Sequence, residues 1–383
     1  ECVPMRFIKH VYKIHTYAQD GRLFEGKTPV SAFLNSSYDG SFIAGLMELR
    51  YIQSLPVERI INYFESHGFT LKKPTAHKLM EKASSLFENL YKCIRQTALS
   101  DPYKAADETY YKILVPEKNS KGKGVRKGYL WVVVGINTRM IYLLYDDGSR
   151  SEKVILNELG GCKGIIQSDG YSPYRKLESD AYPHITRIPC LQHIKRKFID
   201  CGEDEPDAKR IVELINTLYQ NEHKHKIGVD GWTVEQNLVH RKKYAPDILG
   251  EIKDVLDDIE ERGDLLPKSE LKEAVTYLRN EWNAVVDIFN YGDTYLDNNI
   301  VERMNRYISL SRKNSLFFGS HKGAERGAIL YTIALTCRMN KVNLFEYLTD
   351  VINRTAEWQP NTPLEKYRQL LPDRWETVSY THL

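Results

Sequence analysis

The sequence has few of the features of a secreted or membrane protein. Six cysteines in 383 residues form no Cys-x-x-Cys pair, so a disulfide framework is not expected. The longest apolar runs, 129–136 and 328–337, are far shorter than the ~20 residues that cross a bilayer. The N-terminus is polar and has no signal-peptide core. A cytoplasmic protein is therefore expected.

Neither sign of charge is in large excess over the whole chain, because the formal net charge is only +3. Basic residues are nevertheless concentrated locally. Residues 301–326 hold six Lys or Arg against two Glu. A second cluster has no acid and consists of Lys118, Lys121, Lys123, Arg126 and Lys127. Each cluster alone fits a solvated surface, but clusters that flank candidate active-site acids favour a nucleic-acid partner.

Residues 39–100 are predicted to be an N-terminal helical domain. Pro56 suits the first turn of one helix, Gly68 its C-terminal cap, and a second helix begins near Pro74. This pattern resembles a helix-turn-helix, which places its second helix in a DNA groove. An ordinary packed pair of helices is the alternative.

A mixed α/β sheet is predicted for residues 101–202, completed by residues 291–340. Apolar segments at 110–115, 129–135 and 140–145 predict three strands. Two further strands, at 164–168 and 185–190, alternate with helices. Residues 203–290 read as a helical insertion, residues 294–310 and 323–339 as two more helices, and residues 341–383 as a C-terminal appendage that is loose past Arg354. Residues 1–38 are expected to be an N-terminal extension.

Three acids are candidates for catalysis. Asp107 lies within the first strand, and Asp169 lies at the carboxyl end of the fourth, where ligands of α/β sheets gather. Glu302 lies in the first turns of a later helix. Each has a simpler interpretation: Asp107 as a strand-end polar group with Glu108 as its rival, Asp169 as a turn residue, and Glu302 as a capping-box acid behind Asn299.

Several longer motifs resemble the transposases of the bacterial insertion-sequence-66 family. They are Ala-Asp-Glu-Thr at 106–109, Ser-Asp-Gly-Tyr at 168–171, Asp-Asn-Asn-x-x-Glu-Arg at 297–303 and Arg-Lys-Asn-x-Leu-Phe-x-Gly-Ser at 312–320. The likeness continues through 323–326, 343–348 and 371–375 and spans roughly residues 40–375.

The resemblance implies a ribonuclease H-like fold and a DNA-cutting activity. Carried onto this chain, the family's acidic triad is Asp107, Asp169 and Glu302, which would bind two Mg²⁺ or Mn²⁺ ions. The expected partners are transposon-end and target DNA, a second copy of the chain and accessory proteins, in a bacterial, nucleoid-associated setting. Residues expected to contact DNA are Arg303, Arg306, Arg312, Lys313, Lys322, Arg326, His193 and Lys195.

Zinc binding is the main departure from the family pattern. Members usually carry a cysteine-rich segment near the N-terminus, whereas residues 1–30 contain only Cys2. Either that segment was trimmed or this member lacks it. Cys190 and His193 form a Cys-x-x-His pair, but a zinc site needs about four ligands. We therefore expect no zinc, with Cys190 packed and His193 beginning a helix or touching a phosphate.

The same sequence is compatible with three other functions. A ribonuclease H-like nuclease without strand transfer would use the same carboxylates. A non-catalytic DNA-binding regulator would use the helical pair near 56–85 and would tolerate loss of Asp107. A helical scaffold would use the insertion for assembly.

Overall fold

A computed structural model describes residues 5–26, 31–33, 36–118, 122, 124–263, 265–359 and 361–376. Lys121 and Lys123 of the second basic cluster and Cys2 lie outside the described residues. Among the described residues, no helix is both long and apolar enough to span a bilayer.

The strands form a two-stranded hairpin and a five-stranded sheet. They are β1 (Thr16–Gln19), β2 (Arg22–Glu25), β3 (Tyr103–Leu114), β4 (Val125–Gly135), β5 (Met140–Leu144), β6 (Gly164–Ser168) and β7 (Ile185–Pro189).

The helices are α1 (Gly40–Met47), α2 (Val57–Ser66), α3 (Lys73–Leu86), α4 (Glu88–Ser100), α5 (Glu152–Leu159), α6 (Ser172–Arg175), α7 (Leu191–Ile199), α8 (Pro206–Glu222), α9 (Val234–Arg262), α10 (Glu270–Ile288), α11 (Asn299–Asn314), α12 (His321–Met339), α13 (Leu344–Thr355) and α14 (Leu364–Arg368). A π-helical turn, Glu48–Ile52, extends α1, and a 3₁₀ turn, Lys176–Glu178, follows α6.

The five-stranded sheet is mixed, as the sequence predicted. Its order is β5-β4-β3-β6-β7, with β3, β4 and β5 antiparallel and β6 and β7 parallel to β3. Strand β3 begins at Tyr103, earlier than its apolar stretch at 110–115 indicated, and it includes Asp107. The polar pair at 107 and 108 interrupts the apolar pattern, so apolar residues mark only the second half of a strand in which Asp107 was expected to lie.

Helix α12 is buried along most of its length, packs along strand β5 and contacts β3. Strand β5 lies at the edge of the sheet, so backbone groups on its outer side have no neighbouring strand. Thr336 Oγ1 accepts from Ile141 N and donates to Ile141 O, and Thr332 Oγ1 accepts from Leu143 N. Two threonine hydroxyls of α12 therefore form hydrogen bonds with backbone groups of β5 that a sixth strand would otherwise bond.

The N-terminal helices pack directly on the sheet and its covering helices. Helix α4 lies against β4 and β5, α3 contacts α12, and α1 packs along α13. Helices α2 and α3 follow one another with the short connection that the sequence predicted. Apolar side chains of both helices, among them Ile60, Phe64 and Leu79, are buried in the same hydrophobic core as the sheet.

The tail past Arg354 is not loose as we expected, at least as far as residue 376. Helix α13 packs on α1 and α14 on α4. Trp375 Nε1 donates to Asp350 Oδ2 at 2.8 Å, and Leu371 is buried. Scattered apolar residues between prolines gave no periodic signal, although several of them are buried in the core.

Candidate active site

Strand pairing places Asp107 and Asp169 at the same level of the sheet. In the parallel ladder between β3 and β6, Ala105 is paired with Gln167. Asp107 and Asp169 each follow two residues later, and side chains alternate with a period of two along a strand. The two carboxylates therefore extend from neighbouring strands toward the carboxyl end of β6, where sequence reasoning expected a ligand site.

The Asp107 carboxyl is held in surroundings that disfavour its charge. Burial first, and then the neighbouring charges of Glu108 and Asp169, raise its pKa to about 8. Two hydrogen bonds oppose this increase: Glu108 N donates to Oδ1 at 2.8 Å, and Asn305 Nδ2 donates to Oδ2 at 2.8 Å. A bound cation would relieve the remaining cost of the charge.

Glu108 is the rival acid, and its carboxylate already has partners. Arg150 donates to Glu108 Oε1 through both Nε and Nη2, and Tyr174 OH donates to Oε2 at 3.4 Å. The Arg150 guanidinium is held in turn over the Tyr171 ring, 4.2 Å from its centre. Glu108 is thus committed to an ion pair with Arg150.

Asp169 and the glycine after it are held by the helical insertion. Asp169 Oδ1 accepts from Tyr171 N at 3.0 Å, so the turn role considered for this residue is present. Tyr277 of α10 accepts from Gly170 N through its hydroxyl at 2.8 Å. Arg187 of β7 donates to the carbonyl oxygen of Asp169 at 3.2 Å and pairs with Glu281 of α10. Sequence reasoning gave the insertion no role at the site.

Glu302 lies on the face of α11 that is turned toward β3. Asn298, four residues earlier, donates from Nδ2 to the carbonyl of Ala106 at 3.0 Å. Asn305, three residues later, makes the hydrogen bond to Asp107. Residues at these spacings share one helix face. The capping-box interpretation of Glu302 is wrong, because the N-cap is Asn298 and its side chain caps nothing.

The carboxylate of Glu302 is turned toward α7. Its Oε1 lies 3.7 Å from His193 Nε2. In the described part of the chain, Cys190, His193 and Glu302 are the one set of three His, Cys, Asp or Glu side chains whose ligand atoms all lie within 4.8 Å of one another. Asp107, Asp169 and Glu302 do not form such a set. Two ions ~4 Å apart with ~2.1 Å bonds can, however, bridge ligands that are roughly 8 Å apart.

The cations predicted to contact DNA fall into two groups. Arg303, Arg306 and Lys313 are exposed on α11, and Lys322 is exposed at the start of α12. The others contact protein groups or are partly buried: Arg312 donates to Thr109 Oγ1 and Tyr110 O, Arg326 pairs with Glu81, His193 faces Glu302, and Lys195 is half-buried.

Comparisons with known proteins agree with the motifs. The model of the transposase IS66 family matches residues 35–326. Two curated relatives from Sinorhizobium fredii, the uncharacterized proteins y4jD and y4hP, align along most of the chain. The protein y4jD is 25% identical over 87% of this chain and 65% of its own length, and y4hP is 24% identical over 99% and 70%.

This chain thus spans about two thirds of the length of the curated relatives that it matches. The family match covers well over half of the chain and includes Asp107, Asp169 and Glu302. The protein therefore belongs to the IS66 family of transposases.

Proposed function

We propose that the protein is a DNA transposase that cuts and rejoins phosphodiester bonds at the ends of a mobile element with two divalent ions held by Asp107, Asp169 and Glu302. One observation carries the proposal. The parallel pairing of β3 with β6 brings Asp107 and Asp169 to one level, and the pKa of Asp107 is raised there to about 8. Carboxylates that repel one another are the ligands that Mg²⁺ or Mn²⁺ neutralises.

The order of the sheet supports a ribonuclease H-like core. Numbered from β3, its strands follow the order 3-2-1-4-5, with the second strand antiparallel to the first. In this arrangement the first and fourth strands are neighbours, as the resemblance to the family implies for its triad. Helix α11 then adds Glu302 from beside β3.

The reaction is phosphoryl transfer. Bound ions of this kind lower the pKa of a water molecule that attacks the phosphorus and stabilise the departing 3′ oxygen. Asp107 and Asp169 would fix that geometry through their strands, and Asn305 would orient the Asp107 carboxylate. The cut leaves a 3′ hydroxyl, which can attack a phosphorus of target DNA and release a target 3′ end in exchange.

The exposed cations of α11 would hold the DNA backbone beside these acids. Arg303, Arg306 and Lys313 follow one another at spacings of three and seven residues and therefore form a stripe along one side of the helix. Contacts of this kind position DNA but read no sequence. The partners proposed are duplex DNA and, since two ends must be paired, a second copy of the chain.

The test is cleavage of labelled DNA from the ends of the element that encodes this chain. We expect cutting and joined products with Mg²⁺ or Mn²⁺, none with a chelator and none with Asp169→Ala. Asp254→Asn, which changes an exposed acid of α9, is the matched control. Cutting without metal would contradict the mechanism. Nicks without joined products would indicate a nuclease, and full activity of Asp107→Asn would indicate a different site.

A further inference from the structure

Three metal-binding side chains meet where α7 and α11 begin. Cys190 is the N-cap of α7, and His193 lies in the first turn of that helix. Glu302 comes from α11. Two hydrogen bonds join the starts of the helices: Leu191 N donates to Leu296 O at 2.9 Å, and Asn298 N donates to the Cys190 side chain at Sγ, at 3.2 Å. The cluster is thus a fixed product of the fold rather than a chance approach of surface side chains.

The ligand atoms are already close to the spacing of a metal site. They lie within 4.8 Å of one another, with 3.7 Å between His193 Nε2 and Glu302 Oε1. Zinc bonds of about 2.0–2.3 Å place tetrahedral ligand atoms roughly 3.5 Å apart. The side chains of His193 and Glu302 are 26% and 35% exposed and can rotate by the remaining ångström, whereas Cys190 is buried and fixed.

The histidine also has an unused polar atom. Its Nδ1 is buried and has no hydrogen-bond partner among the described residues, while Nε2 faces Glu302. Buried polar atoms of native proteins almost always have a partner, so an orphan nitrogen in a ligand cluster needs an explanation. A metal ion bound at Nδ1 would provide that partner, whereas one bound at Nε2, the nitrogen that faces Glu302, would leave Nδ1 as the N–H donor of the ring.

We propose that Cys190, His193 and Glu302 form a zinc site whose fourth position is open to water, and that zinc bound there draws Glu302 away from Asp107 and Asp169. Sulfur, imidazole and carboxylate together are zinc ligands, whereas Mg²⁺ requires oxygen ligands in an octahedron. The inhibitory part rests on the proposed function, because it needs Glu302 to serve the catalytic ions. Zinc binding itself does not.

This site differs from the sequence expectation of no zinc. Cys190 and His193 alone gave two ligands, and the third lies far along the chain on another helix. Burial raises the pKa of the Cys190 thiol to about 11. Zinc therefore replaces a proton on the sulfur, and that proton goes to solvent. Three backbone N–H groups around the sulfur, from Asn298, His193 and Gln192, favour the resulting thiolate.

Spectroscopy with Co²⁺ as a stand-in for zinc tests the site on the full chain without DNA. A thiolate-to-cobalt charge-transfer band is expected and should disappear when Zn²⁺ is added. Cys190→Ser should abolish the band, and His193→Ala should weaken Co²⁺ binding by more than about tenfold, since even outer partners of metal ligands change affinity by ~10–100-fold. The matched control is Cys201→Ser, which changes a half-buried thiol outside the cluster and should keep the band.

Asp107→Asn separates this site from the catalytic acids and should also keep the band. The absence of a band in the wild-type protein, or its persistence in Cys190→Ser, would overturn the proposal. Circular dichroism of each variant identifies a misfolded one. If Cys190→Ser fails to fold, loss of binding in a folded Glu302→Gln variant supports the site, and unchanged binding in that variant refutes it.

Inhibition is measured as the ratio of Mg²⁺-dependent DNA cleavage with and without low Zn²⁺. The ratio should fall at least about tenfold in the wild type, matching the loss of one metal ligand, and stay near one in Cys190→Ser. Equal inhibition of both proteins would refute the regulatory part. If the wild type cleaves no DNA under any condition, the proposed function fails, while the cobalt spectrum still decides the zinc site.

Discussion

Asp107 is the residue of the candidate site whose side chain is least favourable for folding. A carboxyl with a normal pKa of 3.8 has its pKa raised to about 8, chiefly by burial. Its folded-state pKa therefore exceeds the unfolded value. As pH rises from about 4 to 8, the folded protein must hold a proton or accept an unfavourable charge, so this residue costs the metal-free protein stability in that window.

We therefore expect Asp107→Asn to stabilise the metal-free protein at pH 8, by about 1–3 kcal/mol, and to have little effect at pH 4. Each unit of pKa shift corresponds to about 1.4 kcal/mol, and the side chain is partly exposed, which reduces the full value. Thermal unfolding with a chelator, at both pH values, measures the difference.

Thermal unfolding in the presence of Mg²⁺ completes this test. It should raise the melting temperature of the wild type at pH 8 and have much less effect on Asp107→Asn, because a ligand that binds only the folded state stabilises it. Asp254→Asn should behave as the wild type in both conditions. A lower melting temperature for Asp107→Asn at pH 8 in chelator would show that the carboxylate is well accommodated without metal.

At the scale of elements, helix α10 is the support of the Asp169 turn. The Tyr277 hydroxyl accepts from Gly170 N, and a Cβ on Gly170 would lie only 2.5 Å from that hydroxyl. The glycine is therefore required by close approach rather than by an unusual backbone angle. The insertion that carries α10 thus supports the candidate site through the contact between Tyr277 and Gly170.

Tyr277→Phe should lower the rate of DNA cleavage by about tenfold, since a misplacement of ~1 Å can cost a hundredfold, while costing only about 1 kcal/mol of stability. Tyr244→Phe is the matched control, because it removes another tyrosine hydroxyl of the insertion, one that donates to Glu222. Cleavage rates under saturating DNA and urea unfolding measure the two effects. Equal losses of cleavage in both variants would mean that the hydroxyl of Tyr277 has no special role.

The ion pair between Arg187 and Glu281 connects β7 to α10. Their side chains are 0% and 1% exposed. Arg187→Ala leaves Glu281 buried without its main partner and should cost about 3–5 kcal/mol of unfolding free energy. Arg175, 37% exposed and 4.0 Å from Glu281, offers the control, for which less than about 1 kcal/mol is expected on replacement by alanine. Similar urea midpoints for the two variants would contradict this account.

The predictable part of the site follows from local pattern. Asp169 precedes a glycine at the end of a short apolar strand, and Glu302 lies in a polar motif at the start of a helix, so local pattern made both candidates and the family resemblance predicted them as members of one triad. Contacts between remote residues left no such signal. Tyr277 and Gly170 are 107 residues apart, and Asn305 and Asp107 are 198 apart. A tyrosine or asparagine on a helix face has the same pattern whether it supports an active site or faces solvent.

At the scale of the whole molecule, the net charge of +3 is too small to attract DNA broadly. Binding should instead depend on local cations such as the stripe of Arg303, Arg306 and Lys313 along α11. Each phosphate contact releases counterions, and the logarithm of affinity then falls with the logarithm of salt by about 0.9 per contact.

Arg306→Ala should consequently reduce the slope of that salt dependence by about one and weaken binding equally for end DNA and unrelated DNA, since phosphate contacts carry no sequence information. Fluorescence anisotropy over a range of salt concentrations measures both quantities. Arg210→Ala, which removes an exposed arginine paired with Glu251 in the insertion, should leave the slope unchanged. An unchanged slope for Arg306→Ala would place the DNA on another face of the molecule. A loss confined to end DNA would make Arg306 a reader of sequence rather than a backbone contact.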